Sequence, residues 1–345
     1  MRVSLSSRRK FIRNGLLGAS ALTMGGRVYG LGGKKAKPGN VMTVTGRIRP
    51  KELGKTLIHE HILVDFIGAA KTGYHRWDKE KVIEKMAPYL IEIKERGYDT
   101  LVDCTPAFLG RDPVMLKAIS EQTGINILTN TGIYGAVDNK FVPEFAKKET
   151  ARQLADRWVK EFDEGIEGTG VRPGFIKTSV NKGPLSELHK KLVTAAGLTH
   201  LETGLTIASH TGPAVPALKQ LDVLEAIGVK GNAFIWVHAQ NETDNENYRL
   251  AAERGAWISI EGMREKNVEE RIEKLIWLKN EKLLKNTLVS HDAGWYDPEK
   301  PGGENITGFT LIADVVAPEL KRRGFTDGDL ELLFVDNPVK AFATL

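Results

Sequence analysis

The feature that most constrains the fold of this chain is an alternation of short β-branched runs with amphipathic stretches, which repeats eight times after residue 41. The strand candidates are Thr56–Val64, Asp99–Cys104, Ile125–Thr131, Gly174–Val180, Leu205–Thr211, Ala233–Ala239, Ala256–Glu261 and Thr287–Ser290. The helical patterns between them are Asp78–Gly97, Pro113–Thr123, Thr150–Gly165, Leu185–Gly204, Ala217–Gly228, Asn241–Gly255 and Asn267–Leu284. Because this alternation implies parallel strands, and eight such units close naturally, it predicts an α/β fold of the (β/α)8 TIM-barrel type.

An open doubly wound sheet is the alternative architecture for such an alternation. It would need a Gly-rich phosphate turn after an early strand, and the sequence has none. We therefore expect a barrel over residues 38–345, with a small strand at 41–50 before it and helices at 309–345 after it.

The first 37 residues are set apart by their charge, with nine Arg or Lys residues and no acidic residue. Without them the formal net charge falls from +5 to about −4 for residues 38–345. Because the body of the protein is mildly acidic, we expect no nucleic-acid partner. No apolar run is long enough for a bilayer, so we also expect no membrane span in the mature chain.

The same segment has the layout of an export signal. Ser7-Arg8-Arg9-Lys10-Phe11-Ile12 precedes a short apolar stretch from Leu16 to Met24. This order resembles a twin-arginine signal, which directs the export of folded proteins. An amphipathic helix of the domain is the alternative, but glycines at 15, 18, 25 and 26 interrupt it. We expect residues 1–37 to be signal and linker, with the twin-arginine machinery as a partner and a periplasmic or cell-envelope location.

Two histidines in the first barrel strand are the first indication of chemistry. His59 and His61 stand two residues apart, so both imidazoles lie on one face of the strand, here the barrel interior. Two inward imidazoles can chelate one divalent ion, and zinc favours such ligands. Alone, this pair is equally compatible with a structural role.

Polar residues also end three later strands, where barrel enzymes carry their chemistry. His210 and His238 each end an apolar run, and Asp292 follows the last one. Any one of them could be a buried polar group of the core. Four histidines and an aspartate at four strand ends instead predict a binuclear metal centre at the C-terminal face.

Lys177 points inward from the fourth strand in Gly174-Phe-Ile-Lys177. Burial and nearby cations favour the neutral form of a lysine, which can then add carbon dioxide. The resulting carbamate would bridge two metals as a carboxylate does. A structural lysine paired with an acid is the alternative.

Taken together, these motifs resemble the phosphotriesterase family of the amidohydrolase superfamily, in its phosphotriesterase-related and lactonase group. The resemblance covers about residues 41–345 and rests on Thr56-Leu-Ile-His-Glu-His61, Gly132-Ile-Tyr134, Gly165-Ile-Glu-Gly-Thr-Gly170, Gly174-Phe-Ile-Lys177, Ser290-His-Asp292 and Asn337-Pro-x-x-Ala-Phe342. It implies two divalent ions, with zinc expected. It assigns His59, His61 and Asp292 to the more buried ion, His210 and His238 to the more exposed one, and carbamylated Lys177 to both.

The resemblance also implies a mechanism in which a metal-bridged hydroxide attacks an ester-type bond. Asp292 would take the released proton. Tyr134 lies where the family often has an aromatic residue in the substrate pocket, and we count it with Asp292 and Lys177 as catalytic. Trp295 and Tyr296 are further candidates for the pocket wall, with ordinary loop packing as the alternative.

Two departures from the family pattern bear on the substrate. Phosphotriesterases carry an Asp and a His that relay protons away from the metal-bound aspartate. Here the corresponding positions are Asn241 and Gly262, with Glu261 preceding the glycine. We therefore expect a lactone or carboxylate ester as the small-molecule substrate. Strand alternation turns His291 and Glu60 away from the metals.

Other functions stay open at this point. They are a phosphotriester hydrolase of the aryldialkylphosphatase type, a hydrolase of C–N bonds, and a metal-binding barrel without catalysis. The intact ligand set argues against the last. The oligomeric state is also open, with a homodimer as one alternative.

Overall fold

The computed structural model describes residues 39–343, so the expected export signal at 1–37 lies outside the described residues. The strands are β1 (Val41–Thr43), β2 (Gly46–Ile48), β3 (Thr56–Leu63), β4 (Thr100–Asp103), β5 (Asn126–Leu128), β6 (Asn130–Thr131), β7 (Phe175–Ser179), β8 (Ile207–His210), β9 (Phe234–Val237), β10 (Trp257–Ile260), β11 (Thr287–Val289) and β12 (Gly294–Tyr296). The helices are α1 (Lys79–Glu95), α2 (Pro113–Thr123), α3 (Glu144–Lys148), α4 (Ala151–Glu164), α5 (Glu187–Thr203), α6 (Ala214–Ala226), α7 (Glu246–Glu253), α8 (Val268–Asn280), α9 (Ala317–Arg322), α10 (Asp327–Glu331) and α11 (Asn337–Phe342).

The strands from β3 to β12 form a closed parallel barrel. One ladder runs β12-β3-β4-β5 and a second runs β6-β7-β8-β9-β10-β11. Only Thr129 separates β5 from β6, and the two together form one strand of the barrel. This strand joins the two ladders on one side. On the other side the Asp292 amide donates to the His59 carbonyl (2.9 Å), and the His61 amide donates to the Ala293 carbonyl (2.8 Å). The predicted TIM barrel is confirmed.

Side-chain caps explain where several of the helices begin. Asp78, Asp112, Thr150 and Ser186 each accept a hydrogen bond from a backbone amide in the first turn of α1, α2, α4 and α5. The helix predicted from Asn241 begins only at Glu246. The delay arises because the Glu242 carboxylate accepts the amides of the next two residues and holds a turn there.

The two ends of the barrel differ. At the N-terminal end, α11 closes the interior, since the Phe342 ring meets the Phe175 ring edge-on with centroids 5.8 Å apart. The predicted strand at 41–50 is the β1–β2 hairpin, which adds Val41 to the same buried cluster. The C-terminal end is left to polar side chains. Between residues 39 and 343, no helix has both the length and the apolar character of a membrane span.

Candidate metal centre

The structure brings the six predicted ligands together at the C-terminal end of the barrel. His210 contacts this group only through the ring of His238. Ligand atoms of His59, His61 and Asp292 all lie within 4.8 Å of one another. An Asp292 oxygen is 3.2 Å from His61 Nε2, and the other is 4.0 Å from His238 Nε2. Lys177 Nζ is 3.3 Å from His59 Nε2. The ring of His210 stacks edge-on against that of His238, with centroids 4.4 Å apart.

The rings of His59 and His61 are oriented from behind by buried oxygen atoms. His59 Nδ1 donates to Glu261 Oε2 at 2.8 Å. His61 Nδ1 lies 2.8 Å from the hydroxyl of Thr105, which itself donates to the Leu63 carbonyl at 2.9 Å. Because that hydroxyl proton is already used, the hydroxyl accepts from His61. Both rings therefore carry their proton on Nδ1 and present the Nε2 lone pair, as metal-bound histidines do.

Glu261 also orients a third ring. Its Oε2 lies 3.0 Å from His238 Nδ1, so one carboxylate oxygen holds His59 and His238 together. The carboxylate is fully buried, its other oxygen accepts from the Ser259 hydroxyl, and its backbone amide donates to the Gln240 side chain at 3.1 Å. From the sequence, Glu261 is only the neighbour of a missing relay residue. Strand periodicity could have indicated its role, because Ser259 and Glu261 share the inward face at the end of β10.

Lys177 is the other buried charge of the site. It is 1% exposed, and no carboxylate of residues 39–343 is close enough to form an ion pair with it. The alternative of a structural lysine paired with an acid therefore has no support in this geometry. Gly132 lets the backbone after β6 approach β7 closely, since a Cβ at this position would stand 2.1 Å from the Lys177 carbonyl oxygen.

Two ligands sit on backbone that L-residues rarely adopt. His238 has φ of +62° directly after β9, and Asp292 has φ of +56° shortly after β11. Such left-handed residues cost on the order of 1–3 kcal/mol each and persist where surrounding contacts fix them. Both are fixed here at the mouth of the barrel.

The protonation states of His59, His210 and Asp292 suit cation binding, whereas the Glu261 carboxylate raises the pKa of His238 against the effect of burial. Burial lowers the pKa of His59 to about 4, against the opposing effect of the Glu261 carboxylate. Burial also lowers the pKa of His210 well below its usual value. For Asp292, burial is outweighed by the nearby imidazoles of His59 and His61, and its pKa lies well below the usual range. Neutral imidazoles and an ionised carboxylate are the forms that bind divalent metals.

Aromatic side chains form part of the rim. The Tyr134 ring contacts His210 edge-on at 5.1 Å, and the Trp295 ring contacts His61 edge-on at 5.5 Å. The Tyr134 hydroxyl makes no hydrogen bond with any residue in the described part of the chain. Tyr296, the other pocket candidate, faces instead a surface groove beside α1 with Tyr89.

The positions of the missing relay carry no titratable group toward Asp292. Asn241 is exposed at the surface, and Gly262 has no side chain. Arg264 lies nearby, but its guanidinium donates to the backbone carbonyls of His291 and Asp292, at 2.8 and 2.7 Å. Glu60 and His291 are buried and paired with each other at 2.8 Å, on the far side of β3 from the ligand imidazoles.

This donor set fits divalent metal ions. Three imidazoles present Nε2, a carboxylate faces them, and a buried lysine without an acid partner lies between. A TIM barrel with such a cluster at its C-terminal end belongs to the class of metal-dependent hydrolases. The model of the phosphotriesterase family matches residues 39–342, and the chain belongs to that family.

Comparison with known proteins gives relatives of several activities. The phosphotriesterase homology protein of Escherichia coli is 27% identical over 293 residues, which cover 84% of this chain and 98% of that protein. The aryldialkylphosphatase of Saccharolobus solfataricus is 28% identical, with 86% and 97% covered. A mutant of a PTE-like lactonase from Deinococcus radiodurans has a TM-score of 0.80 at 27% identity, with 88% and 100% covered. An N-acetyltaurine hydrolase of Dictyostelium discoideum is 24% identical, with 87% and 96% covered.

Proposed function

We propose that this protein is a zinc-dependent hydrolase of ester-type bonds, with a lactone or a carboxylate ester as substrate. The observation that carries the proposal is the convergence of His59, His61, His238 and Asp292 around Lys177, a buried lysine without an acid partner. A metal-binding barrel without catalysis would not need to keep this complete set.

In this proposal Lys177 is carbamylated and contributes to both metal positions. The neutral amine would add carbon dioxide through a new N–C bond and release a proton, so that a carbamate anion takes the place of a buried cation 3.3 Å from a ligand nitrogen of His59. His59, His61 and Asp292 would hold one ion, and His210 and His238 would hold the other. When bound, the two ions supply hydroxide at neutral pH and polarise the ester carbonyl.

Asp292 moves the proton in this scheme. Its carboxylate faces the ligand imidazoles, with one oxygen 3.7 Å from His59 Nε2 and 3.2 Å from His61 Nε2. From this place it takes the proton released during attack and returns it to the leaving alkoxide. The Tyr134 hydroxyl, which has no partner among residues 39–343, donates to that alkoxide as it forms.

The preference for lactones and carboxylate esters rests on what surrounds Asp292. An aryl phosphotriester gains from rapid removal of the proton by a relay, and Asn241 and Gly262 offer no such group. A lactone keeps its alkoxide tethered, so Asp292 can return the proton directly.

A side-by-side kinetic comparison tests the proposal. The zinc-loaded enzyme is assayed with lactones, aryl carboxylate esters and an aryl phosphotriester. We expect the best lactone or carboxylate ester to exceed the triester in kcat/KM. A kcat/KM for the triester about tenfold above that of every lactone and carboxylate ester overturns the proposal. Such a ratio corresponds to about 1.4 kcal/mol of transition-state preference for the triester.

A hydrolase of N-acyl amines is the second candidate, favoured by the relatives named N-acetyltaurine hydrolases. The donor set would serve an amide as well, since the chemistry at the carbonyl is the same. The discriminating step is protonation of an amine, which needs a stronger acid than an alkoxide does. Including N-acyl amines of taurine and of amino acids in the panel separates the two, with turnover of an amide but of no ester favouring this candidate.

We also propose that the protein is exported through its first 37 residues. Replacing Arg8 and Arg9 with Lys should leave folded, active enzyme in the cytoplasm, because the signal is read by a receptor. Wild-type export of the double variant would show that the twin-arginine assignment is wrong.

A further inference from the structure

Glu60 lies between the two ligand histidines of β3, yet its side chain serves a different segment. It is fully buried, and Oε1 accepts from the Ser290 hydroxyl (2.7 Å), the His291 amide (2.9 Å) and His291 Nδ1 (2.8 Å). Oε2 accepts from the Ala293 amide at 2.7 Å. All four hydrogen bonds therefore go to residues 290–293.

These bonds fix the segment that carries Asp292. Residues 290–293 lie between β11 and β12, outside the regular strands. Glu60 takes the amides of His291 and Ala293, and the amide between them donates to the His59 carbonyl at 2.9 Å. Three consecutive amides are thus tied to β3. With Asp292 at φ of +56°, its carboxylate is directed to the ligand histidines, away from Glu60.

His291 extends this arrangement to the helical segment that follows the barrel. Its Nε2 accepts from the Ile312 amide at 2.9 Å, so the ring proton must reside on Nδ1 and be donated to Glu60. Both ring nitrogens are used, which excludes His291 as a metal ligand. The chain of contacts runs from Ile312 through His291 and Glu60 to the turn that holds Asp292.

We propose that Glu60 and His291 are positioning residues for Asp292, which they hold in the left-handed conformation that a metal ligand and proton acceptor at this place requires. The inference rests on the proposed function of Asp292. His59 and His61 keep their own supports at Glu261 and Thr105. Loss of Glu60 should therefore act mainly on Asp292 and only weakly on the other ligands.

The variant Glu60→Gln tests this without changing side-chain volume. An amide has one acceptor oxygen, so it cannot accept on both sides, and its NH2 group must face a donor. We expect kcat for the best ester substrate to fall about 10- to 100-fold, as for other outer partners of metal ligands. KM should change by less than about threefold, because a transition-state interaction is lost rather than uniform binding.

Glu242→Gln is the matched control. Glu242 is also buried and accepts three backbone amides, those of Ala214, Thr243 and Asp244, in the loop after β9. It should lose comparable thermal stability while kcat stays near that of the wild type. Equal losses of kcat in the two variants would assign Glu60 a structural role only and overturn the proposal.

A second measurement is independent of turnover. In the cadmium-loaded protein, cadmium NMR should show two resonances, and Glu60→Gln should shift one of them while Glu242→Gln shifts neither. If Glu60→Gln does not fold, His291→Gln, which replaces the rigid ring between Ile312 and Glu60 with a flexible side chain, should shift the same resonance. No shift in either Glu60→Gln or His291→Gln overturns the proposal. Because the spectra need no substrate, an enzyme inactive on esters would contradict the proposed function while leaving this inference measurable.

Discussion

The two halves of the candidate metal centre are supported by the protein in different ways. In the first half-site (His59, His61 and Asp292), each imidazole is fixed through Nδ1 by a buried oxygen, and the aspartate is tied to β3. In the second half-site (His210 and His238), only His238 has such a support, which is Glu261 again. The His210 ring makes ring contacts but no hydrogen bond within residues 39–343. Because fixed ligands bind a metal more tightly than adjustable ones, we expect the first half-site to hold its ion more strongly.

The largest effect should come from removing the first half-site. His59→Ala combined with His61→Ala takes away two of its three own ligands and leaves only Asp292 and the shared Lys177, so turnover should fall to background and metal content should drop below one ion per chain. Elemental analysis of the wild type should give about two divalent ions. Active wild-type enzyme with no more than one tightly bound ion would contradict the binuclear centre.

Lys177→Ala should come next, because it removes the group shared by both half-sites. We expect loss of most activity and of at least one ion, with partial rescue by short carboxylic acids or by bicarbonate with an added amine. The same additives should not rescue the double histidine variant, which serves as the control. A metal-loaded crystal with electron density ending at a bare ammonium would rule out the carbamate.

His210→Ala sharpens the comparison, because it removes the one ligand ring of the two half-sites that has no hydrogen-bonded support within residues 39–343. We expect one ion to remain bound with wild-type affinity and the other to be lost at low chelator concentration. His61→Ala is the counterpart in the first half-site and should weaken the tightly bound ion. Equal sensitivity of both ions to the chelator in His210→Ala would show that the difference in support does not control affinity.

Glu261→Gln and Thr105→Val separate a shared support from a local one. Glu261 contacts one histidine of each half-site, whereas Thr105 contacts only His61. Glu261→Gln should lower the affinity for both ions by about 10- to 100-fold. Thr105→Val should lower only one of them, and by less. Competition with a chelating dye measures both constants, and a Glu261→Gln effect confined to one ion would refute the shared role.

The same contrast explains what the sequence could and could not predict. The ligands follow from local rules, because strand periodicity turns His59 and His61 to one face and strand ends place His210 and His238 at the mouth. Their supports do not follow from such rules. Glu261 is 202 residues from His59, and Glu60 is 231 residues from His291. Contacts between residues so far apart depend on how the barrel closes and on the register between its strands. The alternation of strands and helices predicts that the barrel closes, but it does not predict the register.

The left-handed backbone conformation of Asp292 could not be predicted from the sequence either. Apolar run length predicts where a strand ends, but it does not predict that residues 290–293 depart from regular strand geometry and wrap around Glu60. The late start of α7 has a similar origin. The apolar period favoured a helix from Asn241, while a tertiary contact from Glu242 to the Ala214 amide holds that loop in another conformation.

The smallest effect is expected for Tyr134, whose ring contacts His210 of the second half-site. Burial raises the pKa of its hydroxyl, so the group stays protonated and can donate throughout the working range of the enzyme. A hydrogen bond of this kind is worth about 0.5–1.5 kcal/mol, so Tyr134→Phe should lower kcat for a lactone roughly 2- to 12-fold. An aryl ester should be affected less, because its phenolate leaves without help from a donor. Tyr98→Phe, which alters a buried tyrosine packed on Phe334, is the control and should leave both rates unchanged. Equal losses for lactone and aryl ester in Tyr134→Phe would mean that the ring shapes the pocket and that its hydroxyl does not assist the leaving group.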